Sequence, residues 1–257
     1  MIYNARIKTF ETAKQVTIYS KSFTRDETES KTQKNKNLRK DYINKDRTEQ
    51  EEINCKNISI KQTKNHIYDI ARANIWDWFI TLTFDRQKKD SSDYDLVVST
   101  LKDFLQYIRK YYCPNLKYLI VPELHADGEH YHFHGLLANC EGINFVYSGK
   151  VDRKSKKPIY NIENWHIGFT TATRVQDTYR VSSYITKYIT KDCVSILKNK
   201  KRYFASRNIE RPVIDYTVLD KDEFLRSTVG QVAYYKQIDV KQAGMQVNYY
   251  EMKPIDL

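Results

Sequence analysis

Residues 129–137 read EHYHFHGLL and place histidines at alternate positions, His130, His132 and His134. No other stretch constrains the fold as tightly. Tyr131, Phe133, Leu136 and Leu137 make the run apolar and aromatic, which predicts a β-strand. Side chains alternate between the two faces of a strand. All three imidazoles are therefore expected on one side, with Tyr131 and Phe133 on the other. Two histidines at i and i+2 can turn a nitrogen toward one cation, and neutral imidazole is a ligand for first-row metals. A row of satisfied or solvent-facing histidines is the competing reading. Clustering weighs against it: four of the six histidines fall between 125 and 134, and Glu123 lies just upstream.

The rest of the chain reads as an α+β domain with extensions. Residues 1–20 suggest a hairpin, and 21–57 form a charged linker or solvated helix with few large apolar residues. Ile60, Ile67, Ile70 and Ala71 recur at helical spacing in 58–76. WFITLTF, 78–84, is a buried-type strand. Val97, Leu101, Phe104, Leu105 and Ile108 predict an amphipathic helix after an Asp or Ser cap, ended at Cys113–Pro114–Asn115. KYLIVPEL, 117–124, is a strand; a turn leads from it into the histidine strand. Residues 141–164 read as a polar insertion, 167–175 as a strand and 177–192 as a helix. Short turns between strands imply an antiparallel sheet with helices packed on one face. The boundaries are 1–57 for the hairpin and linker, 58–195 for the central domain, and 196–257 for a basic C-terminal extension.

Composition narrows the partner. The 257 residues carry 43 Lys+Arg against 32 Asp+Glu, a formal charge of +11, which favours a polyanion. The 21 tyrosines interleave with lysines in a way that suits base stacking and phosphate contact; low-GC codon bias enriches the same residues and stays open as an explanation. The four cysteines are widely spaced with no C-x-x-C pair, so neither a zinc ribbon nor a redox motif is expected. No segment resembles a signal peptide or reaches transmembrane length, and no P-loop is present. A soluble protein of the reducing cytoplasm, without membrane contact and without an ATP-driven motor, is the expectation.

A second constellation is YITKYITK, 184–191. On a helix Tyr184 and Tyr188 stand about 40° apart and about 6 Å along the axis, with Lys187 and Lys191 in a parallel row. Phenol is a poor nucleophile near neutral pH unless a cation or base assists it. An aromatic stripe in the core, with snorkelling lysines, is the alternative. Combined with the histidine strand, the helix offers a covalent nucleophile beside a metal site. A bound metal would act as a Lewis acid on a phosphate that tyrosine attacks.

FITLTF (79–84), HYHFHGLL (130–137) and YITKYITKD (184–192) together resemble the three ordered motifs of H-U-H (HUH) endonucleases, U being a hydrophobic residue. The likeness is to rolling-circle replication initiators of bacterial plasmids and small single-stranded DNA phages, and it spans roughly 75–192. It implies a ferredoxin-like central antiparallel sheet with flanking helices. It implies Mg²⁺ or Mn²⁺ held by Glu123, His132 and His134, with His125 competing for the place of Glu123 and His130 behind the ligands or facing DNA. Tyr188 is implied as the nucleophile, because YITKD matches the Tyr-x-x-Lys-Asp ending of single-tyrosine initiators. Tyr184 is implied as a second nucleophile in a two-tyrosine scheme, and Lys187 and Lys191 as phosphate-assisting groups. The resemblance further implies single-stranded DNA at an origin as substrate, a 5′-phosphotyrosine link, and a bacterial host that supplies helicase and DNA polymerase.

Beyond the motifs, Lys200, Lys201, Arg202 and Arg207 could touch phosphates, with Tyr203 stacking on bases; a solvated basic loop is the equal alternative. Other classes predict different behaviour. A single-tyrosine transposase uses the same parts. A conjugative relaxase places its tyrosine before the histidines, the reverse of the order here. A cupin-like metal-binding protein needs no tyrosine, and a non-catalytic single-strand DNA-binding protein needs no histidines. Oligomeric state is not readable from the sequence.

Overall fold

The register of three strands carries the architecture. β3 (Trp78–Phe84), β4 (Lys117–Leu124) and β5 (Tyr131–Ala138) lie side by side, with β5 in the middle. They belong to a seven-stranded antiparallel sheet completed by β6 (Phe145–Val151), β7 (Pro158–Ile162), β8 (Gly168–Arg174) and β9 (Phe204–Ala205), in the order β6-β7-β8-β3-β5-β4-β9. These are features of a computed structural model, which describes residues 1–11, 13–25, 48–189 and 200–253. The chain divides into two compact units, one of residues 50–211 and one of residues 1–49 with 212–257. With four α-helices and two antiparallel sheets among the described residues, it is an α+β protein. No described helix is long and apolar enough to cross a membrane.

Both faces of the large sheet are apolar, and this is why helices cover both. Ile80, Leu82, Phe133 and Leu137 pack under α2 (Tyr94–Tyr111) through Val97, Leu101, Leu105 and Ile108. Leu119, Val121, Leu136 and Ala138 point the other way. They meet Ile67, Ile70 and Ala71 of α1 (Glu49–Arg72) and Ile185 at the end of α3 (Thr178–Ile185). Helices on one face only, as the sequence predicted, would leave one of these apolar sets in water, at about 1.5–3 kcal/mol for each large side chain. α2 starts where Asp93 accepts hydrogen bonds from the Asp95 and Leu96 amides, a cap worth about 1 kcal/mol.

Gly135 shows how closely the inner strands fit. It sits opposite Ile80 on one side and Ile120 on the other. A Cβ there would come within 2.9 Å of Ile120 Cγ1 and 3.3 Å of Ile80 Cγ1. The glycine after the histidine pair thus admits two isoleucines into the α2 core. Gly135→Ala is expected to lower stability by about 1–3 kcal/mol, read as an earlier midpoint in urea denaturation.

Two local expectations change. Residues 141–164 are not an unstructured insertion but the β6–β7 hairpin. The Asp152 carboxylate accepts from the Lys154 and Ser155 amides and the Ser155 hydroxyl, and this organises the turn. The polar composition concealed strands that are exposed on one side. The helix expected over 177–192 is α-helical only from Thr178 to Ile185, followed by a 3₁₀ turn over Thr186–Tyr188. β-Branched residues at 185, 186 and 189 tolerate the tighter turn better than a continuing α-helix. Residues 190–192 lie outside the described residues.

The second unit gathers the two ends of the chain. β1 (Ile2–Thr9) and β2 (Lys14–Thr24) form the expected hairpin. They join β10 (Val213–Thr217), β11 (Val232–Val240) and β12 (Met245–Met252) in one sheet ordered β10-β1-β2-β12-β11. The short helix α4 (Lys221–Ser227) contributes Phe224 beside a core of Ala5, Val16, Ile18 and Tyr250. The N-terminal hairpin and most of the C-terminal extension are therefore parts of one sheet, although the sequence shows no sign of their pairing. Residues 26–47 of the linker lie outside the described residues.

Candidate metal and nucleophile site

Strand pairing brings the carboxylate to the histidines. Glu123 on β4 is directly opposite His132 on β5, and His134 follows two residues on along the same face. Glu123 Oε2 lies 2.7 Å from His132 Nε2 and 2.8 Å from His134 Nε2, and the two nitrogens are 2.8 Å apart. His134 is 8% exposed.

Three donor atoms so placed form a group that could hold a metal ion. Their chemistry fits one. Two Nε2–H groups cannot face each other at this distance, and an Nε2 lone pair facing the carboxylate is repelled. Every arrangement of protons on the triangle thus leaves a poor edge, and a cation in contact with all three atoms removes the conflict. Two imidazoles and one carboxylate suit divalent first-row metals such as Mn, while the carboxylate also suits Mg. Glu123 supplies the third donor; the His125 ring instead lies edge-on to His132, with centroids 5.1 Å apart. His130 precedes the strand, and its Nδ1 pairs with Asp127 2.9 Å away.

Thr81 was not singled out in the sequence. Its Oγ1 is 3.1 Å from His134 Nδ1. With the metal on Nε2, Nδ1–H donates to Thr81 and sets the tautomer. β3 alternation puts Thr81 and Phe79 on the histidine face, which is the signal that could have revealed both. Thr81→Val is expected to weaken Mn²⁺ binding about 10–100-fold while the fold persists, measured by titration calorimetry.

The protonation states favour metal binding. Burial keeps the His134 imidazole neutral below its usual range. Burial pushes Glu123 upward, but hydrogen bonds from His132 and His134 outweigh it and hold the carboxyl at about 2. In the metal-free protein the unfolded chain binds more protons than the folded one in both titration windows. Stability therefore falls on acidification, first below 6.5 through His134 and then from 4.5 downward through Glu123. A urea midpoint lower at pH 5.5 than at pH 7.5, in chelator, is the expected result.

Tyr188 stacks on this group. Its ring lies 3.6 Å from the His134 ring at 16°, and Phe79 lines the same pocket. Tyr184 meets Tyr188 edge-on at 5.5 Å, and Lys187 Nζ lies 4.7 Å over the Tyr184 ring. Tyr184 is on α3 and Tyr188 in the 3₁₀ turn, so the two phenols converge from different elements rather than from one helix stripe. Burial raises the Tyr188 hydroxyl above the usual phenol range, and the hydrogen bond to Tyr184 and the Glu123 charge raise it further. Lys191 lies outside the described residues.

The basic segment is largely tied to the fold. Lys200 Nζ pairs with Asp95 at 2.8 Å, and the Lys201 carbonyl accepts from the Tyr94 hydroxyl. Arg202 donates to Ser59 and Thr63 of α1. Tyr203 packs against the α1 core. Only the Lys201 and Arg207 side chains of this set are both exposed and without such a side-chain anchor among the described residues.

Comparison with known proteins agrees with this geometry. The family model described as Replication-associated protein ORF2/gene II protein matches residues 77–193. No curated protein and no solved structure matches the chain.

Proposed function

We propose, for a chain whose residues 77–193 belong to the replication-associated protein ORF2/gene II protein family, that it nicks and rejoins one DNA strand at a replication origin. The family implies rolling-circle replication initiation, and the Glu123, His132 and His134 group agrees with an H-U-H motif. The antiparallel sheet with helices on both faces supports a ferredoxin-like H-U-H arrangement. The observation that carries the reading is the stack of Tyr188 on His134, which sets a phenol against a set of metal donors.

A divalent cation, Mg²⁺ or Mn²⁺, held by Glu123, His132 and His134 would polarise the scissile phosphate as a Lewis acid. The Tyr188 oxygen attacks phosphorus, and the bond to the 3′ oxygen breaks. The product is a 5′-phosphotyrosine and a 3′-hydroxyl that primes a host polymerase behind a host helicase. The phenol proton has an exit through the hydrogen bond to Tyr184, whose side chain is exposed. Lys187 and Lys191 steady phosphate charge. A returning 3′-hydroxyl reverses the step, so rejoining consumes no ATP. The second tyrosine beside the first favours a two-tyrosine variant, in which Tyr184 accepts the strand in a later round.

The test is a denaturing gel of protein, Mn²⁺ and labelled single-stranded origin DNA. A denaturation-resistant complex that requires metal supports the proposal. Its absence on every origin-containing strand, with metal binding shown separately, overturns it in favour of a metal-binding or DNA-binding protein.

A further inference from the structure

The sheet face that carries the histidines does not end at them. Phe169 on β8 is paired with Thr83 on β3. Continuing the β3–β5 register one residue past Leu82 and Phe133 brings Thr83 level with His132, which faces Glu123. Directly opposed residues share a face. Phe169, Thr83, His132 and Glu123 therefore form one row across four strands. Two strand spacings separate Phe169 from His132, about 10 Å.

Phe169 is 69% exposed, the most open phenylalanine among the described residues. α1 and α3 pack over β4 and β5 on this face and leave β8 open. Beside Phe169 on the same side stand Thr171 and Thr173, opposite Thr81 and Phe79. The strip runs about 17 Å along β8 from Phe169 to Arg174. There the Lys157 ammonium donates to the Arg174 carbonyl at 3.3 Å, so the β6–β7 turn stands at the end of the strip. That turn exposes Lys150, Arg153, Lys154 and Lys156, none in an ion pair among the described residues. Its one acid, Asp152, is taken up by the turn's own amides and hydroxyl.

An exposed aromatic ring, small hydroxyl side chains and an unneutralised basic turn, in line with a phosphate-directed site, match the chemistry of single-stranded nucleic acid. Aromatic platforms stack bases of any identity, and basic side chains follow the backbone. We propose that the open face of β8 is a track for single-stranded DNA, with Phe169 stacking a base near the reacting phosphate and the β6–β7 turn holding backbone phosphates. The location of the reacting phosphate rests on the nicking reading; binding along the track does not.

The experiment measures fluorescence anisotropy of a labelled twenty-nucleotide oligo-dT with the full chain in chelator. Phe169→Ala is expected to weaken binding by about 5- to 150-fold, the range for loss of one stacked base. Phe169→Trp is expected to bind at least as tightly as the parent. On an abasic oligonucleotide of equal length, parent and Phe169→Ala are expected to bind alike. Lys154→Gln combined with Lys156→Gln is expected to reduce the slope of log affinity against log salt by about 1.4, two phosphates' worth on a single strand. Unchanged affinity in Phe169→Ala, or an unchanged slope in the lysine pair, overturns the track. The adduct gel run on the same proteins separates the two ideas. A parent that forms the adduct while Phe169→Ala binds normally leaves the nickase standing without the track. A parent that forms no adduct while Phe169→Ala binds weakly leaves the track standing without the nickase.

Discussion

Tyr188→Phe is expected to abolish the covalent DNA complex, lowering its rate of formation by about 10³-fold or more, as loss of a nucleophile does. The substitution removes one oxygen and keeps the ring, so the stack on His134 and the contact with Phe79 survive. Metal affinity and the urea midpoint should stay near those of the parent, which separates a chemical loss from a folding one. Tyr184→Phe should leave the first cleavage standing, because its ring is further from the metal donors and partly in solvent. In the two-tyrosine variant it instead loses strand transfer after the first cleavage. Adduct formation that survives Tyr188→Phe and vanishes with Tyr184→Phe would reverse the assignment. Burial and the neighbouring Tyr184 and Glu123 groups hold the Tyr188 proton on. The metal-free protein is therefore expected to show no tyrosinate absorbance at neutral pH.

Removing a metal donor should have the other large effect. His132→Ala, His134→Ala and Glu123→Gln are each expected to reduce Mn²⁺ affinity by more than the ~10–100-fold typical of losing an outer partner. Each should also suppress the adduct while leaving oligo-dT binding in chelator near that of the parent. Glu123→Gln is the most informative, since it keeps the shape and removes the charge that His132 and His134 share. Titration calorimetry with Mn²⁺ and with Mg²⁺ reads the affinity and ranks the two ions. Undiminished binding in all three variants would place the metal elsewhere.

Local patterning explains why much of this was legible. Strands over Trp78–Phe84 and Lys117–Leu124 and the helix over Tyr94–Tyr111 follow from apolar runs and helical spacing, with Asp93 visible as a cap. The histidine strand follows from its alternation. Elements with weak patterns were not legible: the β6–β7 hairpin has a largely exposed, polar surface, and the turn after α3 reads as more helix. The segment around Arg202 looks free in sequence because its partners Ser59 and Thr63 lie about 140 residues away.

Alternation alone determined that His132 and His134 share a face, because successive strand side chains must point to opposite sides. The spacing of the motifs determined that a tyrosine-bearing turn follows them. Only the tertiary structure decided which carboxylate joins the histidines, because the β4–β5 register, not distance along the chain, sets Glu123 against His132. It also decided that Thr81 orients His134 and that Tyr188 rather than Tyr184 lies on the metal donors. These are contacts between elements, fixed by sheet order and by helices burying two apolar faces, and no local pattern encodes them.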